Sequence, residues 1–164
     1  MLERRKKYLQ IAFNRSLEEV QQMLMMLPIS DKIIIEAGTP LIKQYGNYGI
    51  NTLYSFWSQK IGMPAYVVAD LKCMDRGSTE VQAAAQAGAS AATCLGLAPI
   101  ETISQFIQEC NSAGINSMVD MMNVEFPFEV LKNLRVLPNV VVLHRGVDEN
   151  EQNREKQIPH NQIA

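Results

Sequence analysis

Six short runs of apolar, largely β-branched residues punctuate the chain: YLQIAF (8–13), KIIIEAG (32–38), AYVVAD (65–70), SAATCLG (90–96), INSMVD (115–120) and NVVVLH (139–144). Runs of this length and composition predict strands. Between them lie stretches with helical spacing: one after Ser16, and others across 50–60, 79–87, 99–112 and 127–137. The punctuation agrees. Ser16 and Glu19 form a capping-box pair, Pro99 suits a first helical turn, and Gly88 and Gly114 stand where helix ends call for a left-handed residue. The glycine-bearing stretch 46–49 lacks a phosphate-loop pattern and reads as a turn.

Strand starts near 8, 32, 65, 90, 115 and 139 leave room for one strand, one helix and two short loops per unit. A βα repeat of this kind implies a parallel sheet, either doubly wound or closed as a barrel. Polar residues gather at the carboxyl ends of many strands: Asn14, Glu36, Asp70 with Lys72, Asp120 and His144. An open sheet concentrates its ligand at one switch point, whereas a barrel directs most strand ends to one mouth, so an α/β chain of (β/α)8 TIM-barrel type is expected. A full barrel takes at least about 200 residues, and six units are visible here. The expected organisation is therefore a partial TIM-barrel domain over 1–152, followed by a polar tail or the start of a sixth helix over 153–164. Strands one and six would be open edges.

Composition narrows the partners. With 47% apolar residues, 20% charged residues and a formal charge of -2 over 164 residues, the chain reads as one globular domain, not a disordered one. Its 15 Lys+Arg against 17 Asp+Glu give no basic face for nucleic acid. No run approaches the roughly 18 apolar residues of a bilayer span, and no signal-type apolar segment follows MLERRKKYLQ, so no membrane association and a cytoplasmic location are expected. Cys73, Cys94 and Cys110 lack metal or disulfide spacing and read as core thiols. Methionines clustered over 23–26 and 118–122 read as adaptable packing.

The sharpest chemical signal is Asp70-Leu71-Lys72-Cys73-Met74-Asp75. On a strand, residues two apart share a side, which sends Asp70 and Lys72 together into the mouth. A lysine held among carboxylates stays protonated and donates to a developing enolate oxygen; an arbitrary D-x-K, by contrast, is usually a surface ion pair. Glu36 follows three isoleucines and either caps the next turn or pairs with Lys43. With Asp70 it would alternatively supply hard oxygen ligands to Mg²⁺. Asp120 adds a carboxylate from strand five. His144 is either a structural strand-end imidazole or a proton carrier, and Gly146 lets backbone pass close to the site. His160, in the tail, has no role.

Taken together, E-A-G-T-P-L-I-K at 36–43, A-D-L-K-C-M-D at 69–75, V-D-M-M-N-V at 119–124 and H-R-G-V-D at 144–148 resemble the orotidine 5'-monophosphate decarboxylase superfamily. Within it, they most resemble the branch of 3-hexulose-6-phosphate synthases and 3-keto-L-gulonate-6-phosphate decarboxylases, over about Tyr8 to Gln152. The resemblance implies a dimeric barrel in which Mg²⁺ supports an enediolate made from a phosphorylated sugar. Glu36 and Asp70 then match the metal-linked carboxylates, Lys72 the lysine beside the reacting oxygens, Asp120 the acid on strand five and His144 the proton-handling histidine. Asp75 matches the aspartate that reaches a neighbouring subunit's site, which implies a homodimer.

Glu36 stands where metal-independent orotidylate decarboxylases carry lysine, and Val147 where keto-gulonate decarboxylases carry arginine. The synthase, joining formaldehyde to ribulose 5-phosphate, is the subclass implied; the alternatives are keto-gulonate phosphate decarboxylation or a non-catalytic sugar-phosphate-binding or assembly role. Asn14 replaces an aspartate at the end of strand one, exchanging a charge for an amide. The family's phosphate grip follows strands seven and eight, beyond the six units read here.

Overall fold

A computed structural model describes residues 2, 3, 5–153 and 155. The elements alternate throughout: β1 (Leu9–Phe13), α1 (Leu17–Met26), β2 (Ile33–Ala37), α2 (Thr39–Ile61), β3 (Val67–Cys73), α3 (Gly77–Gln86), β4 (Ala91–Leu95), α4 (Ile100–Ala113), β5 (Asn116–Asp120), α5 (Pro127–Lys132), β6 (Val140–Val142) and α6 (Val147–Gln152). All five strand pairings are parallel and the sheet order is β1-β2-β3-β4-β5-β6. Sequential order leaves no switch point, so the sheet is wound in one direction, as in a barrel, and not doubly. The result is an open part-barrel of six βα units whose edges, among the described residues, are β1 and β6.

Strand alternation sorts side chains into two environments. Outward residues pack under the helices in two clusters: Ile35, Val67, Leu24, Leu53 and Trp57 in one, and Val119, Cys94, Ile103, Phe106 and Ile107 in the other. Inward residues form layers. A lower apolar layer contains Ile34, Val68, Ala91 and Met118, with Tyr66, Val140 and Val142 packed against it. Two residues further along the same strands come Glu36, Asp70, Thr93 and Asp120. The period of two thus stacks a polar layer on an apolar floor.

Local signals act as expected at several ends. The Ser16 hydroxyl accepts the Glu19 N–H at 3.3 Å and caps α1, and Gly114 closes α4 at φ 72°. Other expectations need correction. Helix α2 begins at Thr39, eleven residues before the stretch 50–60, because Pro40 opens its first turn and Leu41 already faces the core. The turn expected over 46–49 is a kink inside that helix, where Gly46 adopts φ 58°, ψ -144°. Helix α5 ends at Lys132, not at 137, with Asn133 as its cap. A sixth helix already occupies Val147–Gln152, while most of 153–164, including His160, lies outside the described residues. Met118 and Met121 are core residues, but Met23, Met25 and Met26 are exposed on α1.

The three cysteines are buried free thiols. Burial pushes the Cys110 thiol up to about 12, and hydrogen bonding with Cys73, reinforced by burial, raises that of Cys94 further. Inert packing follows. Among the described residues no helix is long and apolar enough to cross a membrane.

Helices α3 and α4 meet closely at Gly77, where an added Cβ would lie 3.0–3.1 Å from the Cβ, Cα and N of Phe106. Because that neighbour is largely backbone, the Gly77→Ala variant is expected to lose about 1–3 kcal/mol of stability. A lowered urea midpoint with unchanged slope measures it. A midpoint equal to wild type would show that the two helices separate freely.

Candidate functional site

The carboxyl ends of the strands open into a cavity of about 1060 Å³ whose wall includes Asn14, Glu36, Asp70, Lys72, His144 and Gly146. Each arrives by a separate route. β2 and β3 deliver Glu36 and Asp70 by simple alternation. Lys72 comes by a different route, because the β3–β4 register shifts between Ala69 and Cys73 and Lys72 sits in the left-handed region at φ 46°. His144 follows β6 by two residues.

Asp70 is 7% exposed, which rules out the surface ion pair as its explanation. Its Oδ2 accepts the Lys72 ammonium at 2.6 Å and shares the Thr39 hydroxyl, at 2.9 Å, with the Asp70 carbonyl oxygen at 2.8 Å, and its Oδ1 accepts the Thr93 hydroxyl at 2.8 Å. Lys72 Nζ also lies 3.7 Å from Asp120 Oδ2. That same oxygen is 2.6 Å from His144 Nδ1, while Asp120 Oδ1 accepts the Met122 N–H at 2.9 Å. A continuous chain of charge therefore runs Asp70–Lys72–Asp120–His144. Since a carboxylate only accepts, Nδ1 carries the imidazole proton and Nε2 is the ring nitrogen left for chemistry.

Two titrations are displaced. The Asp120 hydrogen bond holds the His144 imidazole above its ordinary value, against the opposing pull of burial. Glu36 is raised above the usual carboxylate range, first by burial and further by the charge of Asp70, although Gln10 Nε2 donates to its Oε2 at 2.5 Å and pulls the other way. Among the described residues no three His, Cys, Asp or Glu side chains are grouped to enclose a metal. A magnesium ion asks for less: one or two carboxylates with waters and substrate oxygens complete its sphere. Glu36 and Asp70 fit that requirement as hard oxygen donors whose mutual repulsion a cation would relieve.

Asp75 is the one predicted site residue that does not join this group. It is exposed outside the cavity wall, its Oδ1 accepting the Arg76 N–H at 2.7 Å. Asn14 lies at the exposed rim, where its Oδ1 occupies the space that a Cβ on Gly38 would need. Reasoning from sequence missed Gln10, Thr39 and Thr93. The signal for Gln10 was available, since it shares the inward side of β1 with Ala12 and Asn14.

A part-barrel with ionisable residues at its strand ends has the architecture of the parallel α/β barrels, in which sites lie at the carboxyl face of the strands. Comparison makes the class specific. The profile of the orotidine 5'-phosphate decarboxylase / HUMPS family matches residues 7–157. A crystal structure of 3-hexulose-6-phosphate synthase is 30% identical, with a TM-score of 0.74 over 89% of this chain and 69% of that one. The 3-hexulose-6-phosphate synthase from Salmonella typhimurium gives 29% and 0.77 over 95% and 71%. The bifunctional enzyme Fae/Hps of Methanocella arvoryzae is 45% identical over 149 residues, 90% of this chain and 36% of that enzyme. The chain belongs to the orotidine 5'-phosphate decarboxylase / HUMPS family, and it spans about a third of the length of the curated relatives it matches.

The Asp120–His144 pair makes stability depend on pH with a definite sign. A histidine whose folded value exceeds its unfolded value stabilises fully below the unfolded value near 6.5, and loses that contribution as pH rises through the folded one. Urea titrations from pH 5.5 to 8.5 are expected to show wild-type stability falling relative to His144→Gln across the upper part of this range. A constant difference between the two proteins would contradict the pairing.

Proposed function

We propose that the chain carries a Mg²⁺-dependent aldehyde-lyase site of the 3-hexulose-6-phosphate synthase kind, adding formaldehyde to ribulose 5-phosphate through an enediolate. The observation that carries this reading is the line Asp70–Lys72–Asp120–His144, of which Asp70, Lys72 and His144 line one cavity together with Glu36. Support for the synthase subclass comes from the likeness to two 3-hexulose-6-phosphate synthase structures, at 30% and 29% identity, and from Val147, an apolar wall residue where keto-gulonate decarboxylases carry arginine.

The residues divide the work by charge. Glu36 and Asp70 would hold Mg²⁺, which supplies charge neutralisation to adjacent sugar oxygens. Lys72, fixed between two carboxylates, presents its ammonium to the oxygen on which negative charge develops. His144, with Nδ1 committed to Asp120, removes the C1 proton at Nε2. The C1 carbon then attacks the aldehyde carbon, and the new alkoxide takes a proton back from the same nitrogen. Asn14 and Gly146 border the space for the sugar. Asp75 turns outward and is assigned to the site of a second protomer in a homodimer. Three reduced thiols support a cytoplasmic setting.

Exchange of the C1 hydrogen of ribulose 5-phosphate with solvent, followed by NMR, tests the first half-reaction without formaldehyde. Exchange is expected with Mg²⁺ and is expected to stop on chelation. Lys72→Ala is expected to slow it about a hundredfold or more. Folded protein that exchanges nothing with Mg²⁺ present would refute the reading.

A further inference from the structure

Lys72 occupies a backbone conformation that a lysine does not choose. At φ 46° its side chain crowds its own carbonyl, a state worth about 1–3 kcal/mol of strain that persists only where surroundings over-determine it. The strand ladder does not hold it, because the β3–β4 register breaks between Ala69 and Cys73. The Lys72 N–H instead donates to the Thr93 Oγ1 at 3.0 Å. Thr93 is 5% exposed and lies outside the cavity wall.

The same hydroxyl sends its single proton to Asp70 Oδ1 at 2.8 Å, and Asp70 Oδ2 receives the Lys72 ammonium at 2.6 Å. A closed circuit results: Lys72 backbone, Thr93 hydroxyl, Asp70 carboxylate, Lys72 side chain. Both ends of the lysine are tied to one carboxylate, the near end through Thr93. We infer that Thr93 is the positioning residue of the site, its hydroxyl holding Lys72 in the left-handed bend that places the ammonium between Asp70 and Asp120. As a statement about turnover this rests on the proposed lyase reading; as a statement about the Lys72 backbone it does not.

The test separates the two. Thr93→Val keeps the shape and removes the hydroxyl, leaving the Lys72 N–H and Asp70 Oδ1 each without that partner. Amide hydrogen exchange of the full chain, read by NMR, is expected to show Lys72 protection reduced about tenfold or more in Thr93→Val and kept in Thr93→Ser. In the ribulose 5-phosphate assay, kcat is expected to fall about a hundredfold in Thr93→Val with KM changed less than about threefold, since Lys72 acts on charge that appears only in the transition state. Thr93→Ser is expected to restore most of the loss. Should the valine variant fail to fold, Thr93→Cys, a weak hydrogen-bonding group of similar size, carries the same measurements.

Unchanged Lys72 protection in the valine or cysteine variant overturns the inference. So does an equal loss in Thr93→Ser, which would assign the effect to packing, or an unchanged kcat in an active protein. Wild-type protein without C1 exchange, but with the expected amide response, overturns the lyase reading and leaves the positioning role standing.

Discussion

A carboxylate buried at the end of a central parallel strand is stable as an anion only if its lost hydration is replaced, and Asp70 is where this protein meets that requirement. Two threonine hydroxyls and an ammonium surround it. Removing the Lys72 ammonium would leave the buried carboxylate without its counter-charge, whereas losing either hydroxyl costs it a hydrogen bond. The remainder of the site follows from this need. Lys72 must turn back toward Asp70, the strand must bend to let it, and β4 must offer a small polar side chain at the place where the ladder is broken.

The part-barrel supplies these conditions through its alternation of layers. Ile34, Val68, Ala91 and Met118 make a dry floor, and the next inward residue on each of their strands is polar or charged. An apolar floor excludes water from beneath and lowers the local dielectric, so the Asp120 contact to His144 is strong enough to outweigh the burial that opposes a charged imidazole. The displaced titration of His144 is in that sense a product of the core. The helices contribute at one remove: by covering the outward faces they make every central strand two-sided, which is why the charges can be fixed at the strand ends.

Much of this was legible in the chain. Runs such as Ile33-Ile34-Ile35 are apolar on both faces, as strands buried on both sides must be, and the strand-end residues Glu36, Asp70, Asp120 and His144 converge because period-two alternation is local. The first half of α2 was hidden by its glycines: Gly46 introduces a real break in the helix, and Gly49 allows the close approach of Leu41. The bend at Lys72 was hidden for a different reason. Simple alternation gives the right side for the lysine, but the left-handed backbone is imposed by Thr93 and Asp70 from outside the local sequence, and no propensity of Lys72 announces it. Thr93 was missed likewise, because a threonine inside Ala-Ala-Thr-Cys-Leu is ordinary for a strand and acquires meaning only from the neighbour across the sheet.

The balance of charge around the cavity bears on what it can hold. Glu36, Asp70, Asp148 and Glu149 line it, with Asp120 directly behind, against Lys43, Lys72 and His144. Lys72 and His144 are already engaged by Asp70 and Asp120, and Glu36, Lys43 and the acids of α6 are the other ionisable groups of the wall. On the proposed lyase reading, a cation held at the Glu36 side would offset this negative charge for a phosphorylated substrate. Burial and the Asp70 charge both press the Glu36 carboxyl toward neutrality, and Gln10 answers them with a direct hydrogen bond. The proposed division of labour between Glu36, Lys72 and His144 thus rests on one electrostatic arrangement, in which acids and bases from separate strands offset one another across the cavity.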